Sequence, residues 1–167
     1  MVSKPTLYFR ETTQKDGPLI EKWLMQSETL AGFPMENQRE VADAVGIWLR
    51  YLGQGTALTA IYKKEPCGAA NLYIQPIEKL KHQCLFVVIV DERYRNQGIG
   101  ALLVKALERR AKERFNIEIL HLEVYANNRA IRLYERLGFK HYGVHPRFLK
   151  DREGNYYDKI LMQKQLR

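Results

Sequence analysis

The sequence predicts a mixed α/β (α+β) fold: one domain over residues 1–167, with a central sheet of about six to seven strands and about four helices. Three observations carry this. The period of the apolar residues changes repeatedly along the chain and gives the order β-α-α-β-β-β-α-β-α-β-β. The long apolar run from Gln83 to Val90 passes through a charged turn and two glycines into the most regular helical segment. Neighbouring strand candidates mid-chain form a hairpin, and two more close the chain, so the sheet is too hairpin-rich to be purely parallel. No repeat, low-complexity tract or linker divides the sequence.

Leu7 to Glu11 reads as a short first strand. Thr12, Thr13 and Asp16 offer helix caps and Pro18 suits a first turn, while Leu19, Ile20, Trp23 and Leu24 fall at helical spacing. One amphipathic helix is therefore expected to about Thr29, before Ala31-Gly32-Phe33-Pro34 breaks it. A second helix begins after Asn37, with Val41, Ala44, Val45, Trp48, Leu49 and Leu52 as its buried stripe and Gly53-Gln54-Gly55 as its stop. Trp23 and Trp48 read as core or groove-lining residues on these helices. Strands from Thr56 to Tyr62 and from Cys67 to Ile74 flank a turn at Lys63-Lys64-Glu65-Pro66.

Gln83 to Val90 is expected to be buried on both faces. Beyond it, Ile99, Leu102, Leu103, Ala106, Leu107 and Ala111 make the stripe of one helix. Ile117 to Tyr125 is the next strand. Asn127 or Asn128 can cap a helix carrying Ala130, Ile131, Leu133, Tyr134 and Leu137, which Gly138 ends. Phe139 to Val144 and Tyr156 to Met162 are the closing strands.

Lys and Arg number 27 against 19 Asp and Glu, a formal charge of +8. That suits an anionic partner, whether nucleic acid, an acidic protein or a phosphate-rich cofactor, with a plain solvated basic surface as the alternative. The basic residues are spread through many elements and no nucleic-acid motif is present, which argues against a nucleic-acid-binding module. Cys67 and Cys84 form no CxxC pair and lie in strand contexts, so buried free thiols and a reducing compartment are expected. Met1 to Pro5 lacks the apolar core of a signal peptide, and no apolar run approaches the ~20 residues of a membrane span. The expected location is cytoplasmic. His82, His141 and His145 make no metal-ligand spacing, so no metal is assigned.

The stretch from Val87 to Leu103 reads as strand, glycine-rich loop and helix, a place where bare backbone N–H groups and a helix dipole favour an anion. It is not a Walker loop, because Gly100 is followed by Ala101 and Leu102 rather than by Lys and Ser or Thr. The Rossmann fingerprint lacks its third glycine, since Leu103 stands there.

Arg95-Asn96-Gln97-Gly98-Ile99-Gly100 matches an R/Q-x-x-G-x-G/A loop, and Val90 to Arg95 matches its usual approach. Downstream, the segment from Asn127 to Phe139 carries an Asn, then Ala130-Ile131-Arg132-Leu133-Tyr134, then Gly138-Phe139. With these two signatures the chain resembles the GNAT acyltransferases, nearest in look to protein and ribosomal-protein N-acetyltransferases. The resemblance covers Gln83 to Met162, and the first third agrees only in element order. It implies a GNAT fold with a sheet splayed between the fourth and fifth strands, and acetyl-CoA (coenzyme A) as co-substrate. The implied pyrophosphate site comprises Arg95, Asn96, Gln97, Gly98, Ile99, Gly100 and Ala101, with the Gln97 to Gly100 amides as cradle and Arg95 as an added charge. The backbone of Val88, Ile89 and Val90 would bond to the pantetheine arm like an added strand. Of Asn127 and Asn128, one would touch the cofactor arm and the other cap the helix; counting back from Tyr134 favours Asn127 for the cofactor.

The implied reaction is attack of a neutral amine on a thioester. Tyr134 matches the family's general acid for the departing thiolate, against the plainer reading of a core tyrosine. Strand alternation puts His121, Glu123 and Tyr125 on one face, with Glu123 the candidate base, His121 a weaker one, and a solvated strand charge the plain alternative. The expected function is acetyl-CoA-dependent N-acetylation of a primary amine, with protein or peptide amino groups (N-terminus or lysine) first and small amines such as polyamines or aminoglycosides second. Glu36, Glu40 and Asp43 are where an acidic pocket for a cationic acceptor would form. A non-catalytic acyl-CoA sensor is the alternative of another class, and a homodimer stays open.

Overall fold

The computed structural model describes residues 6–167, so the expectation placed on Met1 to Pro5 lies outside the described residues. The strands are β1 (Leu7–Glu11), β2 (Ala57–Tyr62), β3 (Glu65–Tyr73), β4 (Gln83–Val90), β5 (Ile119–Tyr125), β6 (Lys140–Lys150) and β7 (Tyr156–Gln165). They form one seven-stranded sheet in the order β1-β2-β3-β4-β5-β7-β6. Every neighbouring pair is antiparallel except β4 and β5. That exception follows from the connection: a 17-residue helix joins these two strands, and only a crossover of such length returns a chain to parallel register.

The helices are α1 (Gly17–Leu24), α2 (Ser27–Leu30), α3 (Gln38–Arg50), α4 (Ile99–Phe115) and α5 (Ala130–Arg136). The single helix expected to Thr29 is in fact two. Gln26 turns extended between them (φ −63°, ψ 132°), and its amide reaches across to β4's far end, as described below. A tertiary contact thus overrides a helical pattern. Asn37 caps α3 as expected, its side chain accepting from the Glu40 N–H at 3.0 Å.

Three other expectations are corrected. The β2–β3 turn is only Lys63-Lys64, both at positive φ (51° and 67°), the conformation a two-residue hairpin turn of matching twist requires. Pro66 already lies in β3, where a register shift at Ala60/Ile61 accommodates it. β6 runs on through Pro146 to Lys150; it is an edge strand with a register irregularity at His145/Leu149, the setting in which a proline is tolerated. In α4, Leu102 is 45% exposed while Val104 is fully buried. Ile99, Leu103, Leu107 and Ala111 form the i,i+4 row, Val104 flanks it, and Leu102 falls off its other side.

Two apolar cores lie on opposite faces of the sheet. On one, α4 packs Leu103, Val104 and Leu107 over Phe86, Leu120, Leu122 and Val124, joined by Tyr134 of α5. On the other, Ile20, Trp23 and Leu24 of α1 and Val41, Val45 and Trp48 of α3 cover Ala57, Ala69 and Ile89 of β2, β3 and β4. Trp23 and Trp48 are core residues, 1% and 3% exposed. This second core stops at β4. Cys67 and Cys84 are buried free thiols, and burial pushes them up to about 11 and about 12.

Candidate active site

β4 and β5 pair only at Gln83↔Ile119, Cys84↔Leu120 and Leu85↔His121. Past that point β4 stays with β3 as far as Val90↔Gly68, while β5 stays with β7 as far as Tyr125↔Lys159. The sheet is therefore splayed between its fourth and fifth strands. This also explains why β4 is not buried on both faces: Cys84, Phe86 and Ile89 are buried, but Leu85, Val87, Val88 and Val90 are half-buried beside the opening.

The direction of the β4 backbone follows from two observations. The Asp91 N–H donates to the Cys67 carbonyl at 2.9 Å, continuing the β3–β4 register. A Cβ on Gly68 would stand 2.7 Å from the Ile89 carbonyl oxygen, so only glycine fits there. Residues 89 and 91 thus turn their backbone groups toward β3, and alternation along an antiparallel ladder turns those of Val88 and Val90 into the gap. Of the three residues expected to offer backbone groups, Val88 and Val90 face the gap, and Ile89 faces β3.

At the end of the gap, Asp91 caps a short 3-10 turn at Glu92–Tyr94. Arg95 is extended, Asn96 and Gly98 take positive φ (59° and 79°), and α4 begins at Ile99. Nothing lies within 4 Å of where a Gly98 Cβ would stand, so this glycine serves the backbone turn. Gly100 is different. It is helical, and a Cβ there would make ordinary contacts, 3.6 Å to Val90 and 3.7 Å to Leu133. Packing does not demand glycine at 100, in keeping with a loop pattern that takes glycine or alanine there. Asn96 and Gln97 are exposed, Ala101 is half-buried, and Ile99 sends its side chain into the core, leaving its amide for the loop.

Arg95 does not stand free over this loop. Its guanidinium donates to Glu28 at 2.8 Å and to the Thr29 hydroxyl, both on α2. A second tie lies alongside. The Gln26 amide donates to Asp91 Oδ1 at 3.0 Å and accepts from the Glu92 N–H at 3.0 Å. Burial pushes the Asp91 carboxyl up, but Arg93 and Gln26 outweigh it and hold it below the usual carboxylate value. The loop's entrance and the α1–α2 break are thus one bonded unit, which no local sequence signal announces.

Tyr134 sits on the α4 side of the sheet, 9% exposed, edge-to-face with Phe86 (centroids 6.2 Å apart) and Phe139 (6.0 Å). Its hydroxyl makes no hydrogen bond among the described residues. Burial pushes it up to about 12, so the phenol keeps its proton throughout the neutral range. Glu123 lies on the other face: Leu122 and Val124 join the α4 core, and Glu123 points away from it, 45% exposed. Its carboxylate is 3.3 Å from Lys159 Nζ. His121 shares this face; burial pulls its pKa down against the smaller pull of Glu123, and its Nε2 bonds Gln83 Oε1. The two asparagines divide as expected for capping: Asn128 Oδ1 accepts from the Ala130 N–H at 2.9 Å, and Asn127 is exposed and uncommitted. Both line a groove of about 540 Å³ with Arg129 and Arg132.

Glu40 and Asp43 of α3 and Glu36, just ahead of its cap, do not gather into a pocket. Glu40 accepts from the Glu36 N–H at 2.7 Å, Glu36 pairs with Arg152 at 2.5 Å, and Asp43 is exposed. Lys159 and Phe148, beside Glu123, were missed in the sequence. Their placement depends on the β5–β7–β6 register, and β6 was read as ending before Phe148.

The sequence profile of the acetyltransferase (GNAT) family matches residues 19–139. An N-alpha-acetyltransferase from Sulfurisphaera tokodaii is 37% identical over 90 residues, 53% of each chain. A spermine/spermidine N(1)-acetyltransferase from Bacillus subtilis is 40% identical over 55 residues, 32% of this chain and 36% of that one. The matched segments therefore span about half, or less, of these relatives. Among solved structures, a ribosomal-protein-alanine N-acetyltransferase from Brucella melitensis superposes with a TM-score of 0.81 at 25% identity, covering 95% of this chain and 99% of that one.

Proposed function

The chain belongs to the acetyltransferase (GNAT) family, and from that premise we propose that it is an acetyl-CoA-dependent N-acetyltransferase acting on an α-amine, with a protein or peptide N-terminus as first acceptor. The observation that carries this reading is the gap between β4 and β5: the free backbone groups of Val88 and Val90 on one side, the glycine loop at its end, and a buried phenol and an exposed carboxylate on opposite faces.

In this reading the amides of Gln97 to Ala101 take the pyrophosphate at the α4 N-terminus. Val88 and Val90 hydrogen-bond the pantetheine arm as an added strand, and Asn127 meets the arm from the start of α5. Glu123, directly or through a water, accepts the proton of the attacking amine, and Tyr134 donates its proton to the departing thiolate. An α-amine has a pKa of about 8, a lysine about 10.4. An exposed carboxylate is a weak base, so it suits the acceptor that is already partly neutral. The printed names of two similar proteins, an N-alpha-acetyltransferase and a ribosomal-protein-alanine N-acetyltransferase, support the same acceptor class. The polyamine reading is favoured by the Bacillus relative. A reducing cytoplasm suits the two buried thiols.

The test is CoA release with acetyl-CoA and a panel of peptides of varied N-terminal residue, acetylated peptides bearing an internal lysine, and spermidine. Peptide α-amines are expected to give the highest turnover. Tight CoA binding without release on any acceptor would overturn the enzyme reading in favour of a sensor.

A further inference from the structure

Lys159 stands opposite Tyr125 across the β5–β7 pair and opposite His145 across the β6–β7 pair. Its ammonium lies 3.3 Å from Glu123 Oε2 and 3.8 Å from the centre of the Phe148 ring. The side chain is only 13% exposed, against 45% for Glu123. The ring it meets is itself held in place: Phe148 stacks on Tyr125 (centroids 6.3 Å apart, 23° between planes) and meets His145 edge-on at 5.1 Å.

A carboxylate beside an aromatic face is the chemistry that recognises an organic ammonium. Here the chain supplies that ammonium itself. We propose that Lys159 is a specificity-determining residue of the acceptor site: it fills the cation seat formed by Glu123 and Phe148 and so excludes acceptors that carry a second ammonium close to the reacting amine. The inference rests on Glu123 lying at the acceptor side of the gap, as in the proposed function. Two effects act together. A tethered ammonium competes for the seat at high effective concentration. Its charge, on a side chain only 13% exposed, also repels a second cation arriving beside Glu123. Of the acidic residues named for a cationic acceptor, Glu36 pairs with Arg152 and Glu40 accepts from the Glu36 N–H, which leaves Asp43 exposed on α3. What remains welcome is an acceptor whose α-amine is its only nearby cation.

The test compares Lys159→Met, which keeps an unbranched apolar stem and removes the charge, with Lys159→Arg, which keeps the charge. Two readouts are taken: the ratio of kcat/KM for spermidine to that for a peptide with an uncharged N-terminal residue, and spermidine affinity by calorimetry in the presence of CoA. Lys159→Met should move the ratio at least tenfold toward spermidine and tighten spermidine binding; Lys159→Arg should do neither. CoA affinity reports folding, and Lys159→Gln carries the same test if Lys159→Met fails to fold. An unchanged ratio with unchanged spermidine affinity, or a wild-type preference for spermidine, would overturn the proposal. If the wild type acetylates no acceptor at all, the acetyltransferase reading fails, and the binding measurement alone decides whether Lys159 fills a cation seat.

Discussion

Tyr134 and Glu123 stand on opposite faces of the sheet, Tyr134 on the side that α4 covers and Glu123 on the side where β5 is open to solvent. Tyr134 packs against Phe86 and Phe139 on the α4 side, and Glu123 projects from the face where the α1/α3 core has already ended at β4. The separation gives the two groups different surroundings: the phenol is buried among core rings, while the exposed carboxylate meets what arrives from solvent.

Tyr134→Phe tests the donor. The ring contacts survive and no hydrogen bond to protein is lost, so stability should change by less than about 1 kcal/mol. CoA affinity should hold, while kcat falls by about 10²-fold or more, the usual scale for a general acid. Steady-state kinetics beside calorimetry of CoA binding separate the two. Undiminished turnover would leave Tyr134 a core residue only.

Glu123→Gln tests the acceptor of the proton and has a pH signature. At pH 6.5 an α-amine with a pKa near ~8 is almost wholly protonated, and the variant should lose most of its kcat/KM there. As pH rises past the amine's own pKa, solvent does the deprotonation and the deficit should shrink. A deficit that is constant across pH 6.5 to 9 would point to positioning rather than proton transfer.

The two loop glycines should separate stability from binding. Gly98→Ala forces a side chain to positive φ (79° in the native chain), at a cost of about 1 kcal/mol. Gly100→Ala meets only ordinary contacts, and the loop pattern itself takes glycine or alanine at this position, so both the fold and CoA affinity should be nearly unchanged. Gly100→Asp should lose CoA binding altogether by charge repulsion, with an unchanged circular dichroism melt. Full CoA affinity in Gly100→Asp would remove this loop from the phosphate site.

The legible parts of the chain were those where local chemistry decides. Gln83 to Val90 carries its own strand signal and has the expected bounds, and Asn37 caps α3 with its own side chain. The glycine loop and the second signature, being contiguous in sequence, led to the fold and to the splay. What escaped was decided at a distance. Gln26 breaks a helix because Asp91 and the Glu92 amide, far along the chain, take its side chain. Arg95 meets Glu28 and Thr29, and nothing near it in sequence points to either partner. Lys159 reaches Glu123 only through the register of β5 on β7, which alternation alone cannot supply.

A buried ion pair in the first segment should show an asymmetry between its partners. Asp16, 3% exposed, accepts from both Arg10 Nη atoms at 2.7 and 2.8 Å, from the Thr13 N–H at 2.8 Å and from the Thr59 hydroxyl at 3.3 Å, while Arg10 is 36% exposed. Removing the arginine strands a buried carboxylate, so Arg10→Ala should cost about 3 kcal/mol. Asp16→Asn leaves a cation that water can reach, and should cost about 1 to 2 kcal/mol. Burial pushes the Asp16 carboxyl up, but Arg10, Thr13 and Thr59 together hold it below the usual value. With the folded pKa depressed, its contribution is fully present above the unfolded value of ~3.9 and is lost as pH falls below that. Urea melts at pH 7 and pH 3 should show the gap between wild type and Asp16→Asn closing at the lower pH.

The Gln26 bridge should couple the two halves of the site. Its amide holds the α1–α2 break against the entrance of the glycine loop, donating to Asp91 and accepting from the Glu92 N–H. Gln26→Ala removes both bonds and lets the helical pattern of the segment extend past Leu24. α2 would then shift, carrying with it the Glu28 and Thr29 partners of Arg95. The expected result is a raised KM for acetyl-CoA, by about thirtyfold if each of the two bonds contributes ~1 kcal/mol, with kcat reduced less. Gln26→Glu should be worse, because a second carboxylate then faces the buried Asp91 and can no longer donate to it. Hydrogen exchange gives the independent check: in Gln26→Ala, the amides of residues 91–98 should exchange faster in the absence of ligand and recover protection with CoA. Unaltered exchange in that segment together with unaltered KM would mean that the bridge sets the helix break alone and leaves the loop to its own glycines.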